Sequence, residues 1–179
     1  TVIDLCNYHP RVNILNPGAG VGGHCIAVDP WFIVSSFPTD SRMIKMSRNV
    51  NDHKPLWVVE KILNNLLNNE TVGCFGMSYK QDIDDIRESP SIKIADELVK
   101  KLGEDRVVIC DPYLNELKSY DLKNLEESIE KCDLLVFCVP HKQFKNIDKK
   151  TIEKKKILDL CGALKSVSYT HLRAHETLS

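Results

Sequence analysis

The sequence predicts an α/β chain in which helical segments lead into a parallel β-sheet. Three observations predict it. Four short apolar runs, at 72–75, 106–110, 134–139 and 156–160, alternate with helix-periodic or polar stretches, as right-handed βαβ crossovers require. Ahead of residue 71 the apolar residues recur at helical spacing instead. Between the first two runs, Ser89-Pro90 and Gly103 bracket a stretch of helix length with a start and a stop signal.

In chain order, Thr1-Val2-Ile3-Asp4-Leu5-Cys6 has no start signal and reads as the tail of an apolar element already under way, so the chain is expected to be a fragment. A glycine loop follows, and then a short helix over 30–36 with Asp29 as N-cap and Pro30 at its first position. Residues 37–40 break the chain and cap a helix whose Met43, Ile44, Met46 and Val50 mark one face. Pro55 suits the first turn of a second helix bearing Leu56, Val59, Ile62, Leu63, Leu66 and Leu67. Stripes of this kind are core or helix–helix interface. After strand 72–75 and a loop, Ser89 and Pro90 open a helix carrying Ile92, Ile94, Ala95, Leu98, Val99 and Leu102, which Gly103 stops. Strand 106–110 ends in Asp111-Pro112, a polar helical stretch covers about 122–131, and strands 134–139 and 156–160 complete the sheet. Ligands on such sheets sit at the carboxyl ends of the strands, where residues 78–87, Asp111 and Pro140-His141 fall. The lysines at 149–150 and 154–156 read as a solvated face, and residues 166–179 as a non-native, disordered tail.

Composition narrows the function classes. With 179 residues, 42% of them hydrophobic, there is enough for one ordinary domain, or one domain and part of another. A net charge of -1 from 24 basic and 25 acidic residues gives no electrostatic reason to expect nucleic acid or an anionic membrane. No apolar run approaches the ~20 residues of a membrane span. The seven cysteines are scattered singly without C-x-x-C spacing, so neither a disulfide framework nor a metal site is indicated, and a reducing cytoplasm fits best.

The chemistry concentrates at residues 16–30, N-P-G-A-G-V-G-G-H-C-I-A-V-D-P. Glycines at 18, 20, 22 and 23 free the backbone to lie close against a ligand, and Cys25 stands at the exit. Unencumbered N–H groups beside a sulfur favour its nucleophilic form; the other six cysteines are read as buried small hydrophobes, and Cys25 could be a seventh. Asp29 could cap the helix, assist proton transfer to a water, or do both. Residues 18–23 also satisfy G-x-G-x-x-G, but Asn16-Pro17 interrupts any entering strand and Asp29-Pro30 disfavours helical geometry at the exit, so the match is set aside. Lys80 and Arg87, on the loop after the first strand, suit phosphate charge or could be solvated. A cysteine hydrolase pairing Cys25 with His24 or His141 is the enzymatic alternative.

Two of these stretches carry a resemblance. G-V-G-G-H-C-I-A-V-D-P-W-F-I resembles the active-site segment of the UDP-glucose/GDP-mannose dehydrogenase family, most closely its UDP-N-acetyl-D-mannosamine branch, and G-M-S-Y-K-Q-D-I-D-D-I-R-E-S-P resembles that family's second signature. The resemblance runs to about Ala163. It implies an α/β fold with a Rossmann-like parallel-sheet domain preceded by part of an α-helical central (dimerisation) domain. Residues 1–70 would be the central part, 71–165 the UDP-binding domain and 166–179 the tail. It further implies NAD as cofactor, a UDP-sugar as substrate, and oxidation of the sugar C6 to a carboxylate in two steps through a Cys25 thiohemiacetal and thioester. Asp29 would help activate the hydrolytic water; Gly20, Val21, Gly22 and Gly23 would line the sugar; Lys80 would bind the substrate and Arg87 would reach NAD. Arg11 matches the arginine that in some members crosses to a partner's substrate, although the loop from it to the cysteine is shorter here. In the family, the NAD-binding domain and the catalytic lysine and asparagine precede what is residue 1 here, and 159–162 lacks the arginine that some members use for substrate. The chain alone is therefore expected to fold and bind UDP, as a UDP-sugar-binding and homodimerisation module, with little or no activity of its own.

Overall fold

The computed structural model describes residues 2–164. Four parallel strands, β1 (Val72–Phe75), β2 (Val107–Cys110), β3 (Leu134–Phe137) and β4 (Lys156–Asp159), form one sheet in the order β2-β1-β3-β4. Val72 registers with Val107 on one side and Leu134 on the other, and Leu134 with Lys156. The central strands β1 and β3 are buried along their whole length, because helices cover both faces; this is why they are continuous apolar runs rather than alternating ones.

Alternation along each strand sorts the core into two halves. Val72, Cys74, Leu134 and Val136 face Val58, Val59 and Ile62 of α3 (Arg42–Asn65) and Ile94, Ala95 and Leu98 of α4 (Pro90–Leu102). Phe75, Leu135 and Phe137 face the opposite side with Ile129 of α5 (Leu125–Lys131), Phe144 and Ile152 of α6 (Lys149–Ile152). There the rings of Phe75, Phe137 and Phe144 meet with centroids 5.0 to 6.0 Å apart. Helix α4 has the ends its sequence asks for. The Ser89 side chain accepts from the Ser91 amide at 3.2 Å, Pro90 opens the first turn, and Gly103 takes φ +86° just past the end.

Before the sheet lie α1 (Val2–Cys6), a glycine-rich loop and α2 (Asp29–Ser36). Two expectations are corrected here. Asp29 is the first residue of α2, not its cap; Val28 precedes it in helical geometry, and the amides of Val28 and Asp29 both donate to Cys25 O, at 3.0 and 2.8 Å. A turn already wound from Cys25 delivers the chain into the helix, so the pre-proline bias at Asp29 is overridden. The second concerns Pro55, which lies inside a single 24-residue helix rather than opening a new one. Proline there removes one hydrogen bond, to Asn51 O, while the buried stripe of Val58, Val59 and Ile62 stays continuous with the preceding turns. The other expected stripe, with Met43, Met46 and Val50, is exposed, as are Phe32, Ile33 and Phe37 of the neighbouring segment. No helix among the described residues is long and apolar enough to cross a membrane. The tail expected from residue 166 lies outside the described residues.

Candidate functional site

The loop from Gly76 to Ser89, between β1 and α4, is anchored at the carboxyl edge of the sheet. Asp111, at the end of β2, accepts from the amides of Met77 and Ser78 through Oδ2, at 2.6 and 3.1 Å, and from Tyr113 N through Oδ1 at 2.9 Å. His141, after β3 and fully buried, places Nε2 3.3 Å from Asp111 Oδ2 and 3.3 Å from Ser78 Oγ. Its Nδ1 accepts from the Asp82 amide at 2.9 Å. A ring nitrogen that accepts from an amide carries no hydrogen, so in the neutral ring the proton is on Nε2, facing Asp111. Burial works to raise the Asp111 carboxyl, but hydrogen bonds from His141, Tyr113 and Met77 outweigh it and hold it below its ordinary value.

Serine, histidine and aspartate thus meet, but not as a nucleophilic triad. With its proton on Nε2 the ring cannot take one from Ser78, whose Oγ donates to Lys80 O at 2.8 Å instead. Nor is His141 free to serve as a base for Cys25. Asp82 has φ +60°, in the left-handed region, and its Oδ1 accepts from the Lys142 amide at 2.9 Å. Burial would raise this carboxyl, yet hydrogen bonds from Lys142, Gln81 and Tyr113 hold it far below the usual carboxylate range.

Lys80 is exposed at the crest of this loop. Arg87 is exposed too, bound to Asp85 by a guanidinium–carboxylate pair at 2.6 to 3.0 Å that holds the carboxyl down at about 2.

The glycine loop is seated against this second loop. Gly23 N donates to Arg87 O at 2.9 Å, and a Cβ at Gly23, where φ is +91°, would come within 2.9 Å of the Tyr79 ring. At Gly22 a Cβ would stand 2.4 Å from Glu88 O. From α3, the Asn51 side chain accepts from Val21 N at 2.8 Å and donates to Val21 O at 3.2 Å. On the other side of the cysteine, the buried Arg48 reaches Ile26 O at 3.5 Å and pairs with Asp52 at 2.8 Å. These contacts close the inner face of Gly20, Val21, Gly22 and Gly23 with protein, a reason for glycine that does not depend on a ligand. Gly22→Ala should unseat the loop at a cost of ~1–3 kcal/mol, the range for overpacking. Amide exchange at Gly23 measures this; unchanged protection would show that Glu88 gives way instead.

Cys25 is exposed, and the bond from Asp29 N to Cys25 O sets the two residues one helical turn apart on one face, Asp29 also exposed. Arg11 stands apart, in an exposed turn whose contacts are local, its amide donating to His9 Nδ1 at 3.3 Å. Of the other cysteines, burial pushes the thiols of Cys74, Cys110 and Cys132 up to about 12 and those of Cys138 and Cys161 upward as well. The expectation of six buried cysteines is corrected to four, since Cys6 and Cys161 are half-buried. Asp159, the last residue of β4, gathers the amides of Cys161, Gly162, Ala163 and Leu164 at 2.8 to 3.2 Å, so the turn that lacks an arginine is closed on its own backbone. Sequence reasoning missed Asn51 and the Ser78–Asp111–His141 set; Asp111 and His141 had been placed at strand ends, but nothing local showed that they meet.

Residues 73–166 match the UDP-binding domain of the UDP-glucose/GDP-mannose dehydrogenase family, and residues 1–53 match its central domain. The chain belongs to the UDP-glucose/GDP-mannose dehydrogenase family. It is 40% identical over 176 residues to the UDP-N-acetyl-D-mannosamine dehydrogenase of Escherichia coli strain K12, covering 90% of this chain and 42% of that protein. It is also 40% identical over 168 residues to an NDP-N-acetyl-D-galactosaminuronic acid dehydrogenase of Ralstonia nicotianae, covering 90% and 39%. The solved UDP-D-ManNAc dehydrogenase of Pyrococcus horikoshii superposes with a TM-score of 0.75 at 30% identity over 95% of this chain and 42% of that one. The chain therefore spans about two fifths of the length of these family relatives.

Proposed function

We propose that the chain is the central and UDP-binding portion of an NAD-dependent nucleotide-sugar 6-dehydrogenase acting on UDP-N-acetyl-D-mannosamine, in the cytoplasm, for polysaccharide biosynthesis. One observation carries the reading: an exposed cysteine and a carboxylate share one turn, on a loop bonded directly to the loop that carries Lys80 and Arg87.

In this reading the diphosphate sits at the carboxyl edge of the sheet with Lys80 supplying charge. The sugar lies over Gly20, Val21, Gly22 and Gly23, so that C6 reaches Cys25. Once the first oxidation has removed a hydride and a proton from the C6 hydroxymethyl, the Cys25 sulfur adds to the resulting aldehyde, its proton passing to the aldehyde oxygen, and the new carbon–sulfur bond gives a thiohemiacetal. After loss of hydride the acyl group remains on sulfur as a thioester. Asp29, one turn away, takes a proton from the water that attacks it, releasing the carboxylate and restoring the thiol.

NAD, when bound, supplies the two-electron acceptor for each oxidation. The residues present fit part of its site. Arg87 offers an exposed guanidinium, already oriented by Asp85, and its carbonyl holds Gly23 N of the cysteine loop. The glycine loop does not fit a dinucleotide site, because residues 12–17 form no strand and the Cβ directions of Gly22 and Gly23 are taken by Glu88 and Tyr79. Arg11 would reach the substrate of a second copy in a homodimer. The exposed apolar residues of α2 and α3 supply the surface for such pairing.

A full-length enzyme carrying this segment should yield two NADH per UDP-N-acetyl-D-mannosamine. Hydrolysis of an acyl substrate without NADH would support the thiol-hydrolase alternative instead. Lys80→Ala should mainly weaken UDP-sugar binding and Arg87→Ala mainly NAD use, each by ~1.5–3 kcal/mol, as for hydrogen bonds to charged groups. Equal effects of both changes on both ligands would show that the loop acts as one unit.

A further inference from the structure

We infer that His141 is a positioning residue for nucleotide binding: its Nδ1 holds a left-handed turn at Asp82 and so fixes where Lys80 is presented. The inference rests on the reading of this edge as the UDP site and adds a residue to it.

Asp82 sits at φ +60°, in the left-handed region, which aspartate tolerates better than most side chains and which is held in place where its amide and carboxylate both find fixed partners. Here they do so from two directions. The amide is drawn to His141 Nδ1 at 2.9 Å, and the carboxylate is drawn to Lys142 N at 2.9 Å and Lys142 Nζ at 3.4 Å. Two residues earlier, Lys80 O is held by Ser78 Oγ at 2.8 Å. Lys80 is therefore flanked by fixed points on both sides, while its own side chain is exposed.

The ring that makes the Asp82 bond is itself rigid. It is wholly buried, stacked on Tyr113 with centroids 4.8 Å apart, and met edge-on by Phe144 at 5.4 Å. Its Nε2 is directed at Asp111, which also grips the amides of Met77 and Ser78. One imidazole therefore links the loops after β1, β2 and β3 at the switch point of the sheet, where the order runs from β1 to β3. A residue serving only to fill the core would need the ring, not a particular nitrogen.

The two halves of the ring can be tested separately in the chain as it stands. An asparagine amide overlays the Nδ1 side of imidazole and a glutamine amide the Nε2 side. His141→Asn should keep the acceptor for Asp82 and hold UDP affinity within about threefold of the original, measured calorimetrically. His141→Gln should keep the Asp111 contact but weaken UDP at least tenfold, although both variants lose comparable thermal stability. Equal UDP affinities, or affinities that follow melting temperature, would overturn the inference. Should His141→Gln not fold, amide exchange of the unaltered chain decides: Asp82 N–H should be protected, and as fast an exchange as an exposed loop amide would overturn the inference. A chain that binds no UDP at all would refute the proposed nucleotide site instead, and the strut would then stand or fall on Asp82 exchange.

Discussion

Replacing Cys25 by serine in a full-length enzyme carrying this segment should abolish net oxidation to the carboxylate while leaving UDP-sugar affinity within about tenfold, or ~1.4 kcal/mol. The sulfur is exposed at the start of the turn that leads into α2, so the change removes the proposed nucleophile without opening a cavity or orphaning a buried group. A serine hydroxyl is a weaker nucleophile than a thiol and its acyl ester is harder to hydrolyse than a thioester, and His141, in the adjacent loop system, is committed to Asp82 and Asp111. NADH stoichiometry against calorimetric binding of the sugar nucleotide separates the two effects. Normal turnover in the variant would take Cys25 out of the mechanism.

Asp111→Ala should be the most destabilising single change at the site, because each buried donor it leaves unsatisfied costs ~1–3 kcal/mol. Its carboxylate satisfies three backbone amides and His141 Nε2 in a buried environment, and alanine leaves all four donors without it. The same group sets a pH dependence. Its pKa is lowered on folding, so its contribution is fully present above the unfolded value of ~3.9 and is lost as pH falls through the lower folded value. Urea midpoints of the unaltered chain should therefore carry this contribution unchanged between pH 7 and about 5 and lose it below about pH 4. The Asp111→Ala midpoints should fall less over the acid range, and parallel curves would show that other carboxylates govern it.

The strands were legible because each is a short apolar run between turn signals, and β1 begins and ends where the pattern says it should. The helix caps at Ser89 and Gly103 were legible for the same reason, being local chemistry. Pro55 and Asp29 were misread because each was judged by its own backbone preference. A buried stripe on α3 and a turn already wound at Cys25 overrode those preferences. At the site, Cys25 announced itself within a dozen residues of sequence. The lock around His141 did not, since its partners are 63 residues away at Ser78 and 30 away at Asp111, and only the parallel sheet brings three loop starts to one edge.

The burial of most sulfurs makes the chain its own reporter of foldedness. Of seven cysteines, five have thiols that the interior holds in the protonated, unreactive form, leaving Cys25 exposed and Cys6 half-buried. A chromogenic disulfide reagent at neutral pH should meet Cys25 first, and the five interior thiols should become titratable only as the sheet opens. The same partition keeps Cys25 apart from the rest, because an interior thiol that stays protonated does not attack a mixed disulfide at Cys25.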